Sequence, residues 1–161
     1  MKKIIFIRHA KSSWDDPSTK DHDRILNHRG EDAAALMNKI LKSQLKEADA
    51  IFSSTAKRAK QTIEIISDGK YTIEFKEDLY TFEYNELIRF IVKLDNKLNT
   101  VVIVGHNPAL TNIIGALSAN KIFNMPTCGV AALLWTEASK WTEVIDNSAR
   151  LVFFDCPKNH L

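Results

Sequence analysis

Only two cysteines occur in 161 residues, and their placement excludes two whole classes of protein. Cys128 and Cys156 lack the close spacing of a zinc half-site and are too few for a disulfide framework. No two histidines stand at i, i+4, so neither a metal nor any other cofactor is expected. Two free thiols fit a reducing, cytoplasmic compartment. Long apolar runs are missing too, since no stretch approaches the roughly 20 residues of a membrane span. Met1-Lys2-Lys3 before Ile4–Ile7 resembles the opening of a signal peptide. Arg8 ends that apolar run after four residues, too early for a signal. Charge of one sign is also scarce, with a formal net of +2. Neither nucleic acid nor an anionic membrane is expected as a partner, and any positive field that matters must be local. Repeats, low-complexity tracts and linkers are absent, which leaves one domain over 1–161.

Apolar residues make up 45% of the chain, enough for a substantial core at this length. Ile4-Ile5-Phe6-Ile7 reads as a strand buried on both faces, delivering Arg8 and His9 to its C-terminal end. A polar loop, Lys11 to Asn27, follows and holds Trp14, Pro17 and the charge cluster Lys20–Arg24. Helical periodicity runs from Arg29 to Lys46, with Ala33, Leu36, Met37, Ile40 and Leu41 on one face. Ala50-Ile51-Phe52 is the second strand. Ser53-Ser54-Thr55 offers N-caps for a helix to Ser67, whose inner face is Ala59, Thr62, Ile63 and Ile66. Tyr71–Phe75 is a weaker strand, and Leu87, Ile91, Leu94 and Leu98 mark a helix over 85–98. Thr100–Val104 is the clearest strand. It runs into Gly105-His106-Asn107-Pro108, where Asn107 as N-cap and Pro108 at the first helical position start another helix. Val130–Trp135, Trp141–Ile145 and Arg150–Phe154 read as closing strands. The expected fold is α/β, a single three-layer domain with a mostly parallel central sheet and helices on both faces.

Three strand-to-helix junctions carry unusual polar groups: Arg8-His9, Ser53-Ser54 with Arg58, and Gly105-His106-Asn107. Parallel neighbouring strands would gather them on one sheet edge, where open α/β sheets bind ligands. Arg58 falls in a first helical turn, where a cation opposes the helix dipole. Beside Arg8 and two junction histidines, a recruited anion explains it. Two arginines and two histidines suit phosphoryl chemistry, because arginine's planar fork matches phosphate oxygens and neutral histidine can attack phosphorus. His22, His28 and His160 read as structural.

These residues resemble the hallmarks of the histidine phosphatase superfamily, the phosphoglycerate mutase-like clan. Arg8-His9-Ala10 stands for its Arg-His-Gly. Ser53 to Thr62 follows its Ser-Ser-x-x-x-Arg-Ala-x-Gln-Thr, and Val101–Pro108 its strand followed by Gly-His-Asn-Pro. Arg-His-Ala-Lys-Ser-Ser-Trp at 8–14, the Asp21–Leu26 segment with Arg29-Gly30, and Leu79-Tyr80 are similar to the short SixA-like phosphohistidine phosphatase branch. The resemblance implies a phosphoglycerate mutase-like fold and a metal-independent phosphatase. His9 would be its phosphorylated nucleophile, with Arg8, Arg58 and His106 holding the phosphoryl group and Arg24 and Asn107 contacting substrate. Ala10 replaces the usual glycine, so position 10 should not need a glycine-only backbone. The acidic proton donor of other branches has only Glu83 and Glu86 as counterparts, and both fall where a first helical turn attracts acids. A weak acid favours a phosphoramidate donor, and a short chain without a cap favours a protein-borne one. The implied partner is a histidine-phosphorylated protein or a small phosphorylated compound. A broad-specificity phosphomonoesterase and a non-catalytic phosphoprotein-binding module are the alternatives.

Overall fold

The apolar runs become the strands of one six-stranded sheet in the computed structural model, whose described residues are 1–120 and 124–161. In chain order they are β1 (Lys2–Arg8), β2 (Ala50–Ser54), β3 (Ile73–Lys76), β4 (Thr100–Gly105), β5 (Val130–Trp135) and β6 (Arg150–Asp155). Across the sheet the order is β3-β2-β4-β1-β5-β6. The first four strands are parallel, β5 is antiparallel to both β1 and β6, and β6 therefore points the same way as β1. The helices are α1 (His28–Ile40), α2 (Lys42–Glu47), α3 (Lys57–Ser67), α4 (Tyr84–Val92) and α5 (Ala109–Ser118). None of the described helices is long and apolar enough to cross a membrane.

Period-2 alternation sends the strand side chains into two cores. Ile4, Phe6, Phe52, Val101 and Ile103 pack with Leu87 and Ile91 of α4 and Leu110, Ile113, Ile114 and Leu117 of α5. Ile5, Ile7, Ile51, Val102 and Val104 face the other way, onto Met37 of α1 and Ala59, Ile63 and Ile66 of α3. Three layers result, and strands buried on both faces explain why the sequence shows continuous apolar runs there. The register pairs Arg8 with Gly105 and Ser53 with Val104, so the three polar junctions lie together at one sheet edge.

Several elements depart from the pattern of the sequence. The helix expected over 29–46 breaks at Leu41, the C-cap of α1; turning there buries both Leu41 and Leu45. The helix expected over 85–98 ends at Val92, and an Asx turn at Asp95 accepts the Lys97 amide instead. Leu94 and Leu98 still pack on the core from this turn. Trp141–Ile145 is no strand: Trp141–Glu143 is a 3₁₀ turn, with Glu143 accepting the amides of Ser139 and Lys140. Trp141 is fully buried there and donates its ring N–H to the Asp95 carbonyl. Beside it the buried Lys2 ammonium fills three acceptors, the carbonyls of Asn96 and Leu98 and the Asn99 side chain, at 2.6, 2.7 and 3.0 Å.

Glycine is required at one position that sets up the functional edge. A Cβ on Gly30, in the first turn of α1, would lie 2.1 Å from the Lys11 carbonyl oxygen, a backbone atom that cannot swing away. That carbonyl also accepts the Asn27 amide at 3.0 Å, closing the base of the 11–27 loop. Gly30→Ala should therefore lower the free energy of unfolding by about 1–3 kcal/mol through overpacking. Urea denaturation checks this, and a loss below roughly 0.5 kcal/mol, within the range of neutral surface changes, would contradict the contact.

Candidate active site

Two histidines, one from β1 and one from β4, meet a buried guanidinium at the sheet edge. His9 follows β1 and His106 follows β4, with ring centroids 5.2 Å apart. Arg58, in the first turn of α3, is 1% exposed and reaches between them. Its Nε donates to His9 Nε2 at 3.3 Å and its Nη2 donates to His106 Nδ1 at 3.4 Å.

Guanidinium has no acceptor, so these contacts assign the tautomers. His9 Nδ1 carries the proton and donates to the Ala10 carbonyl at 2.7 Å, leaving an in-plane lone pair on Nε2. His106 accepts at Nδ1 and donates from Nε2 to Ser54 Oγ at 2.7 Å. Burial, followed by the charges of Arg58, Arg8 and Arg24, outweighs the Ala10 hydrogen bond and pushes His9 down to about 3. Burial, then the neighbouring His9 and Arg58, pushes His106 down to about 2. Both rings are neutral at physiological pH.

The second hallmark segment holds the first in place. Thr62 Oγ1 accepts the Ala10 amide at 2.9 Å and donates to the Arg58 carbonyl at 2.7 Å, tying the peptide after His9 to α3. Gln61 accepts the Leu26 amide at 2.8 Å and fastens the far end of the 11–27 loop. Ala10 is fully buried and is not among the residues with positive φ, so it needs no glycine. The hydroxyls expected to cap α3 do other work. Ser54 accepts from His106 and from the Ala56 amide, Thr55 contacts His22 at 2.9 Å, and the N-cap position is Ala56 without a side-chain cap.

An anion does offset Arg58, and it comes from the chain itself. Asp21, in the 3₁₀ turn Asp21–Asp23 of the 11–27 loop, accepts Nη2 at Oδ2 (2.9 Å) and Nη1 at its carbonyl (2.6 Å). Tyr80 donates its hydroxyl to the same Oδ2 at 2.6 Å. Burial alone would raise the Asp21 carboxyl; hydrogen bonds from Tyr80 and Arg58 and the charges of Arg58 and Arg24 overcome it and bring it to about 2. Asp21 lies inside the charge cluster of the sequence, but nothing in that cluster distinguishes it from Asp23. Tyr80 and Phe82 stand edge-on to the His106 ring at 5.4 and 5.6 Å and complete the rim.

The remaining candidates occupy supporting positions. Arg8 donates Nη1 to the Met125 carbonyl at 2.8 Å, while its Nε is buried without a partner. Asn107 donates to that same carbonyl at 3.0 Å and accepts from the amide and hydroxyl of Thr111, so its polar atoms are engaged within the protein. It caps α5 from one residue before the expected place, because the helix begins at Ala109 with Pro108 as its N-cap. Arg24 stacks on Trp14 with 3.5 Å from its guanidinium carbon to the ring centroid, and its Nη2 is 3.4 Å from Asp21 Oδ1. Glu86 pairs with Arg89, and the exposed Glu83 is the N-cap position of α4; neither contacts the histidines. Among the described residues no group of three or more His, Cys, Asp and Glu side chains is gathered to hold a metal ion.

The arrangement is two neutral, acceptor-bearing rings around a cation, and known proteins share the chain that builds it. An uncharacterised protein of Mycobacterium tuberculosis is 34% identical over 94% of this chain and 100% of its own length. A solved Agrobacterium tumefaciens structure, provisionally described as the phosphohistidine phosphatase SixA, superposes with a TM-score of 0.80. It is 26% identical and covers 97% of this chain and 98% of its own. A phosphoserine phosphatase of Entamoeba histolytica, solved with 3-phosphoglyceric acid, shares the fold at a TM-score of 0.73 and 16% identity over the whole of both chains. The family model for the histidine phosphatase superfamily, branch 1, matches residues 4–88, the stretch that holds Arg8, His9, Asp21, Arg58 and Tyr80. The chain belongs to that superfamily, a family of phosphatases, on its SixA-like side.

Proposed function

We propose that the chain, acting as one domain, is a phosphohistidine phosphatase that takes phosphate from a protein onto His9. The observation that carries this is the unprotonated His9 Nε2, turned to the Arg58 guanidinium at 3.3 Å by the Nδ1–H bond to Ala10. In the first step His9 Nε2 bonds to phosphorus while the substrate P–N bond breaks. The leaving imidazole departs neutral once solvent has protonated its other nitrogen. In the second step water adds to phosphorus, the His9–phosphorus bond breaks, and inorganic phosphate leaves. Arg58 and Arg8 stabilise the charge spread over the equatorial oxygens. The long 3.3 and 3.4 Å contacts of Arg58 with the two rings can give way to phosphoryl oxygens, while Asp21 keeps its hold on Nη1 and on the other N–H of Nη2. Arg24, braced by Trp14, is the outer phosphate contact, whereas Asn107 acts indirectly by holding Met125 for Arg8.

Leaving-group chemistry supports the P–N substrate. A phosphate ester expels an alkoxide and gains strongly from a general acid. The carboxyl that borders the site, Asp21, is ionised at neutral pH. The free, buried Cys128 and Cys156 fit a cytoplasmic protein, and burial pushes the Cys128 thiol up to about 12, away from reactivity.

Rapid quench with a radiolabelled phosphohistidine protein should trap acid-labile, alkali-stable label on the wild type and none on His9→Ala. Label surviving in that variant would remove His9 from the role, and a higher kcat/KM on common phosphate esters would replace the substrate class. Asp21→Asn keeps the shape but strips Arg58 of its counter-charge. It should lower kcat about 10- to 100-fold through misorientation, while inorganic phosphate inhibits several-fold more tightly because the pocket is more positive. Weaker phosphate inhibition alongside the loss of kcat would show mere structural damage. Buried neutral histidines also leave a stability signature. Their unfolded value is about 6.5 and their folded values are lower, so the unfolded chain binds more protons as pH falls. Unfolding free energy should drop between pH 7 and 5, at up to about 1.4 kcal/mol per pH unit for each ring. His106→Asn should flatten that slope by one proton; a wild-type slope near zero would refute neutral burial.

A further inference from the structure

Beside the end of β1 lies a cleft of about 610 Å³, whose wall includes Arg8, Lys11, Arg29 and Lys158. Asp32 is the acidic residue on the same wall. Among the described residues, none of the four cleft cations forms an ion pair. Arg29 stands in the first turn of α1, where, as at Arg58, a cation works against the helix dipole. Arg8 carries the further cost of a buried Nε with no acceptor. Like charges gathered on a concave wall focus a positive potential, and here they do so in a chain whose formal net charge is only +2.

Position gives the cleft its meaning. Arg8 lines this wall and directly precedes His9, the reading above gives it the phosphoryl oxygens, and Lys11 lies two residues beyond His9. A group filling the cleft is therefore joined to whatever presents its phosphoryl group at His9. The volume falls in the range of sites that enclose a drug-sized ligand, far beyond the needs of one phosphate ion. We infer that this cleft is a docking subsite for the acidic side chains that flank the phosphorylated residue of a polypeptide substrate. Carboxylates of Asp and Glu meet the unpaired ammonium and guanidinium groups, and Arg8 couples the docked segment to the reacting centre. The inference rests on the protein-phosphohistidine reading given above.

The test uses two phosphohistidine peptides, one with Asp and Glu flanks and one with Gln and Ser, together with phosphoramidate as a donor lacking flanks. The triple variant Lys11→Gln, Arg29→Gln, Lys158→Gln leaves Arg8 in place and alters exposed side chains, and its thermal midpoint should match the wild type. It should lose about 10- to 100-fold in kcat/KM on the acidic peptide, mostly in KM, if each lost pair contributes as exposed pairs do. The neutral peptide and phosphoramidate should change less than twofold. Equal losses on both peptides, or none on either, overturn the subsite. A fluorescent, unphosphorylated acidic peptide gives a second readout that needs no turnover. Its binding to the wild type should weaken in the triple variant and with added salt, and indifference to both would likewise overturn the proposal. Wild-type enzyme that binds the acidic peptide yet hydrolyses only phosphate esters would retire the phosphohistidine reading while leaving the acid-binding cleft intact.

Discussion

The buried Arg58 guanidinium is the group on which the arrangement depends. A cation taken out of water costs several kcal/mol unless its surroundings repay it, and no single partner here does so alone. Asp21 supplies the opposite charge and two acceptors, His9 and His106 supply lone pairs, and Thr62 fixes the carbonyl of Arg58 itself. Each partner comes from a different part of the chain. The cation thus draws a loop, two strand ends and a helix onto one point, and the surrounding tautomers follow because it can only donate.

Stability and reactivity are set against each other at that point. Burial and positive charge make protonation of the rings expensive, which weakens the fold in acid but keeps the His9 lone pair available. Asp21 moderates the same field: it makes the buried cation tolerable and lowers the attraction for any anion. On the proposed function, a pocket with Arg8, Arg24 and Arg58 and no carboxylate would hold its product tightly, and slow release limits turnover in many enzymes.

Much of this is legible in the sequence. Strands buried on both faces leave continuous apolar runs, so β1 and β4 announce themselves, and their ends carry Arg8-His9 and Gly105-His106 in plain sight. Arg58 stands out because it opposes a helix dipole. Asp21 and Tyr80 fall in segments that carry the resemblance, but their pairing with Arg58 is not legible, since a carboxylate in a charge cluster and a tyrosine before a helix look alike whether solvated or paired. Periodicity also overran its elements at Leu41, Asp95 and Trp141. In each case apolar residues still pack on the core while the backbone turns, and apolar spacing records packing rather than hydrogen-bond pattern. The serine and threonine hydroxyls after β2 misled for a related reason, because a cap and a histidine partner need the same oxygen.

The two histidine tautomers rest on unlike supports. His9 Nδ1 donates to a main-chain carbonyl, which no side-chain substitution at position 10 can delete. His106 Nε2 donates to the hydroxyl of Ser54, which a single codon change removes. Mutational robustness is therefore uneven across the pair. Drift at position 54 can loosen His106, while the presentation of the His9 lone pair is insulated from sequence change at its own anchor and remains exposed only through the packing that positions the backbone.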